Sequence, residues 1–159
     1  KAGAAIFSSI SITGGTIAAS VTDNTIIKSA DETVNNSDVF QNDNDFTFAV
    51  TASSYYKIDM FVSMSCQNAS DYKWQWSLPA GATFVGYGMK SDGTIVQRTT
   101  ETGFTETSTA TGQNNMWVKG TLSIAGTAGT AVVQWAQQVA AGENTIWQKG
   151  SWLTYKKVS

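Results

Sequence analysis

The 159-residue chain has no histidine, one cysteine, one proline and one arginine. Without imidazole it cannot build a Ser-His-Asp or Cys-His nucleophile system, an imidazole general base or a histidine-containing zinc site. Cys66 alone makes no intrachain disulfide and no multi-thiolate metal site, and it reads as a small buried hydrophobe. Arg98 and the scattered lysines, with a net charge of −2, leave no basic stripe for a phosphate backbone, so nucleic acid is not expected as a partner. No run approaches the roughly 20 apolar residues of a membrane span, and no membrane partner is expected. Charge is scarce as well: 14% of residues are charged, against about 25% in an average soluble domain.

What is present is apolar and aromatic. Hydrophobic residues make up 42% of the chain and include six Trp, five Tyr and seven Phe, so the surface must consist largely of Ser, Thr, Asn, Gln and Gly. Such a surface is either solvated by hydroxyls and amides or covered by another chain. The mass of 17.0 kDa fits one domain with a core that needs no staples.

Residues 1–24 are Gly, Ala, Ser and Thr with isolated Ile and Phe, a composition suited to an extended N-terminal arm or linker, and the domain proper is expected over 25–159. Lys1–Ser20 begins with a cation and ends Ala-Ala-Ser like a secretory leader, but Ser8, Ser9, Ser11, Gly14 and Gly15 break its centre. The chain lacks an initiator Met and reads as processed or as a portion of something longer.

From Thr25 the dominant period is two, the signature of half-buried strands. Tyr56, Ile58, Met60, Val62, Met64 and Cys66 share one face, opposite Tyr55, Lys57, Asp59, Phe61, Ser63 and Ser65. The same alternation runs through Phe46-Phe48-Val50, Tyr72-Trp74-Trp76-Leu78, Met116-Val118-Gly120-Leu122-Ile124 and Trp152-Thr154-Lys156-Val158. Asp92-Gly93 marks a tight hairpin, and Pro79 ends a strand where a missing N–H harms no ladder. Thr130–Gly142 carries both helical spacing and alternation, and its all-β context favours a strand through Gln137. About eight strands with polar turns fit an all-β, antiparallel two-sheet sandwich with jelly-roll wiring.

Trp74, Trp76, Trp135 and Trp152 are expected in the core. Trp117 alternates with inward Met116 and Val118 and should point out, as should Phe61, Tyr55 and Tyr87. An outward aromatic on a weakly charged domain points to a subunit interface. Asp38, Asp43 and Asp45, with Asn42 and Asn44, offer oxygen ligands for a cation, Asp43 and Asp45 foremost, but lack the Gly and the distal Glu of a helix-loop-helix calcium loop, and a solvated turn is the simpler reading. Thr99–Asn115 is a Thr-rich loop or edge excursion, and with Glu101, Phe104 and Glu106 it is a candidate ligand-binding tip. No spacing argues for a catalytic carboxylate pair; no enzyme activity and no cofactor are expected.

Several strings carry a resemblance: Lys28–Val50, Asp71–Trp76 with Leu78–Thr83, Val133-Gln134-Trp135-Ala136-Gln137, and Lys149–Leu153. In this order, across roughly residues 25 to 159, they resemble a family of tailed-bacteriophage virion structural proteins. The resemblance implies a β-sandwich of fibre, appendage or capsid-decoration proteins on the surface of the phage particle, without known catalytic residues, and with Val133–Gln137 as a strand. By analogy of architecture it implies a tumour-necrosis-factor-like trimer. The expected partners are two further copies of the chain, capsid or tail proteins reached through the arm, and a host cell-surface glycan if the domain is instead a receptor-binding fibre module.

Overall fold

The computed structural model describes residues 23–66, 71–90, 93–99, 103–106 and 112–158. They form twelve strands and no helix: β1 (Asn24–Ile27), β2 (Glu32–Asn35), β3 (Gln41–Val50), β4 (Ser54–Cys66), β5 (Tyr72–Ser77), β6 (Thr83–Lys90), β7 (Ile95–Thr99), β8 (Gly103–Glu106), β9 (Gly112–Ile124), β10 (Gly129–Ala136), β11 (Asn144–Trp147) and β12 (Trp152–Lys157). Two antiparallel sheets result. The larger runs β1-β12-β4-β9-β6-β7, with β11 joining β2 to the far half of β4, and the smaller runs β3-β10-β5-β8. Residues 1–22 of the expected arm lie outside the described part, and β1 enters the ladder at Asn24.

Period-two patterning sets which face each strand buries. The even-numbered residues of β4 from Tyr56 to Cys66, with Phe84, Met116, Val118, Leu122 and Leu153, face inward from the large sheet. Phe46, Phe48, Val50, Tyr72, Trp74, Trp76, Ala131, Val133 and Trp135 answer from the small one. Stacked rings bridge the two: Phe48 on Tyr155 at 3.9 Å between centroids, and Trp135 on Trp147 at 4.9 Å. The ambiguous segment is strand β10, ending at Ala136, because its alternate residues pack between β3 and β5 in an antiparallel ladder.

Two local devices adjust the large sheet. Gly86 and Gly120 are direct cross-strand partners, and a methyl group on either would meet the Phe84 ring at 2.7 or 2.5 Å; here glycine makes room for the ring. Beside β4, strand β11 hands over to β12 through Gln148–Ser151, with Gly150 at φ +85°. The buried Ser151 hydroxyl fills the gap in the ladder, accepting from the Ser63 N–H at 3.0 Å and donating to the Gln148 carbonyl at 2.7 Å.

Candidate functional site

The residues that set this molecule apart lie on the outer face of the large sheet. Register pairs Ile27 with Trp152, Trp152 with Phe61, Phe61 with Trp117, Trp117 with Met89, and Met89 with Ile95. One apolar side chain from every strand of the order β1-β12-β4-β9-β6-β7 thus falls in a single row that crosses the sheet from edge to edge. Five strand spacings make the row about 24 Å long. Outer faces of antiparallel sheets ordinarily carry polar residues, so an unbroken apolar row there is a functional feature.

The rings in the row touch. Phe61 lies 4.7 Å from Trp117 and 6.2 Å from Trp152 between centroids. The row's two ends, on the edge strands, are open: Ile27 is 62% and Ile95 61% exposed. A shallow cleft of about 630 Å³ runs along it, lined by Asp59, Tyr87, Met89, Ile95, Trp117, Lys119 and Trp152.

The next row is Thr25, Thr154, Asp59, Lys119 and Tyr87. Lys119 Nζ donates to Asp59 Oδ2 at 2.6 Å, and this hydrogen bond, with the attraction of the same carboxylate, raises the Lys119 pKa above its ordinary value. Beyond it lie Lys156 and Lys57, Lys156 being paired with Asp23 at 3.2 Å. On the other flank Ser63 pairs with Asn115. The patch therefore offers a narrow apolar strip between polar borders, with its nearest charges neutralised internally.

All four aromatics expected to face outward do so. Phe61 and Trp117 are direct partners at the centre of the row, Tyr87 stands one row away, and Tyr55, opposite Ser123, stands three rows away. Trp152 corrects the expectation of a core position: it is Leu153 that is buried and Tyr155 that packs against the core, because pairing with β4 puts Trp152 beside the outward Phe61. Ile27, Met89 and Ile95 were not singled out from sequence. Their membership depends on register between strands, which no single segment encodes.

The acidic cluster has a different use. Strand β3 bulges against β10 between Asn42 and Thr47, and there Asp43 turns inward, its Oδ1 accepting from the N–H groups of Asp45 and Phe46. Asp43 Oδ2 meets the Lys28 ammonium at 2.7 Å, Glu32 meets it at 2.6 Å, and Asp45 stands 3.9 Å away. The cation these carboxylates surround is Lys28, so Asp43 is neither in a solvated turn nor open to a metal. Among the described residues no group of three or more Cys, Asp or Glu is arranged to hold a metal ion.

The candidate tip is only partly covered: Glu101 and the side chains of Phe104 and Glu106 lie outside the described residues. The backbone of β8 places Phe104 opposite Trp74 and Glu106 opposite Tyr72. No family model, no curated protein and no solved structure matches the chain.

Proposed function

We propose that this chain is a non-enzymatic structural component of a bacteriophage particle: a jelly-roll protein that associates as a homotrimer and decorates or stabilises the capsid or forms part of a fibre. The observation that carries the self-associating part is the apolar row across the outer face. Covering its half-buried rings contributes about 1 kcal/mol each, and the low charge of the whole chain suits a surface meant to be covered.

Support for jelly-roll wiring comes from the strand order. With the short strands β2 and β11 and the β6–β7 hairpin set aside, eight strands remain, ordered β1-β12-β4-β9 in one sheet and β3-β10-β5-β8 in the other. Successive strands then alternate between the sheets, except for β5 and β8, which pair with each other in one of them, and this is the two-Greek-key pattern of a jelly roll. Support for the phage assignment is the resemblance of the four sequence strings.

Size-exclusion chromatography with light scattering on the full chain tests the reading. A species of three times the chain mass is expected at micromolar concentration, and a stable monomer would sink it.

A receptor-binding fibre module is the second reading, favoured by one observation. The chain enters the large sheet at Asn24, level with the first half of β4, whereas Asn42, Glu106 and Gly112 belong to the opposite end of the strands. Glu106 and Gly112 of the candidate tip are thus remote from the point of entry, whereas Thr99, where it begins, stands level with Lys57 close to that entry. Host-specific adsorption of the purified chain to cells or glycans supports this reading, and its absence supports decoration alone.

A further inference from the structure

We propose that Lys28 and Asp43 are the two ends of an intramolecular isopeptide bond, an amide between the lysine Nζ and the aspartate Cγ that forms inside the folded domain, with Glu32 as its catalytic residue. The bond ties the end of β1 in the large sheet to the bulge of β3 in the small one, across 15 positions of the chain. It is a covalent link that a single cysteine cannot provide.

The parts of the reaction are in place. Nucleophile and electrophile touch: Lys28 Nζ donates to Asp43 Oδ2 at 2.7 Å, and neither side chain has exposed surface. A proton acceptor touches the nucleophile, with Glu32 Oε2 at 2.6 Å from Nζ and only 11% of its side chain exposed. Donors for an oxyanion are aimed as well, since Asp43 Oδ1 accepts from the N–H groups of Asp45 at 3.0 Å and Phe46 at 2.9 Å. Fixed backbone donors on a carboxyl oxygen are what stabilises the charge of a tetrahedral intermediate. The lysine is held too: its N–H donates to the Ser151 carbonyl, its carbonyl accepts from Gly150, and the Phe46 ring lies 5.7 Å from its Nζ.

The chemistry balances without a further reagent. One proton passes along the hydrogen bond from Nζ to Oδ2, giving an amine and a carboxylic acid, an uncharged pair suited to a site closed to water. The amine lone pair attacks Cγ, the C–N bond forms, and the carbonyl electrons move onto Oδ1 against its two N–H donors. Glu32 takes a proton from the nitrogen and passes it to the Oδ2 hydroxyl. The C–Oδ2 bond breaks, that oxygen leaves as water, the C=O bond re-forms, and Glu32 is again a carboxylate. Groups held in reacting geometry behave as if at about 10⁵–10⁸ M, which favours an amide where a free amine and carboxylate would remain ions. Ion pair and bond are successive states of the same three side chains. Lys119 and Asp59 provide the contrast. They are as close, at 2.6 Å, but the lysine is half exposed, Asp59 Oδ1 has no hydrogen-bond partner, and among the described residues no second carboxylate pairs with Lys119.

Mass spectrometry of the purified full chain under denaturing conditions tests the bond. The parent is expected to fall short of its sequence mass by one water, and its proteolytic map to contain a branched peptide joining Lys28 to Asp43, with Lys119 and Asp59 unlinked. Asp43→Asn keeps Oδ1 and should fall short by one ammonia instead, because nitrogen is now the leaving group. Lys28→Arg, with no amine to acylate, should keep its full mass. Glu32→Gln, first shown by circular dichroism to keep the fold, should couple about 100-fold more slowly than the parent when both are followed from refolding.

A parent at full sequence mass with Lys28 free overturns the bond, as does a loss of water that maps elsewhere in the chain. Coupling of Glu32→Gln as fast as the parent overturns the catalytic role of Glu32 and leaves the bond standing. None of these readouts depends on oligomeric state, so the proposed association stands or falls separately.

Discussion

Lys28 carries its charge into the interior with 1% of its surface exposed, and two carboxylates within 2.7 Å hold it there. Its own N–H and carbonyl are tied to Ser151 and Gly150, so this residue fastens the end of β1 to the bulge of β3 in the other sheet. Lys28→Met leaves Asp43 buried without its cation. Loss of a partner from a buried ion pair costs about 3–5 kcal/mol, and urea denaturation should show a shift of that size. Nothing local in the sequence announced this. A lysine 15 positions from its aspartate reads as a surface charge until the bulge turns the aspartate inward. Lys119 differs, because its side chain is half exposed and its partner Asp59 partly so. A base whose folded pKa is raised stabilises fully below its unfolded value of about 10.4 and loses that contribution as pH climbs through the folded value. The urea midpoint of Lys119→Met should therefore differ from the parent's by a small, constant amount through neutral pH. That difference should disappear in strongly alkaline solution; one that grows there contradicts the pairing.

At the level of strands, β4 is the spine: β9 pairs with all of it from Ser54 to Cys66, while β12 and β11 share its other edge. Ser151→Ala removes the acceptor of the Ser63 N–H at the junction of those two strands. Stranding a partly buried donor should cost about 1–2 kcal/mol, read as a lower urea midpoint with unchanged slope. Gly120→Ala drives a methyl into the Phe84 ring and the Val85 carbonyl. Such overpacking should cost about 1–3 kcal/mol, and combining it with Phe84→Leu should give less than the sum of the single effects. The alternation of β4, β5 and β9 was readable residue by residue, which is why Phe61 and Trp117 were found. Strand β12 was harder: with Trp152 and Leu153 adjacent, either phase buries a large apolar side chain. Only register against Phe61 and Met60 chooses between them.

For the whole molecule, the proposed association would couple to folding. If the native chain associates, anything that shifts mass action toward the assembled form raises the thermal midpoint. Melting the parent over a hundredfold concentration range should show the midpoint rising with concentration, and Phe61→Lys should abolish the rise while leaving the dilute-limit midpoint nearly unchanged. A concentration-independent parent contradicts the coupling. Two-sheet architecture was legible from composition and period, and so was an outward set of aromatics. The apolar row itself was not, since its six side chains come from positions 27 to 152 and meet only through strand order.

The entry of the chain at one end of the strands has a directional consequence. The β2–β3 and β10–β11 connections are hydrogen-bonded to each other at the opposite end, through Ser37 with Gln137 and Asn36 with Ala141, and they present the exposed Val39 and Val139. If copies associate in a closed cyclic ring as proposed, the ring has no dyads across its axis, so every copy would point the same way, with the points of chain entry at one pole and these connections at the other. Any contact that these connections make too weakly to hold singly would then be repeated once per copy, and its strength would multiply as avidity.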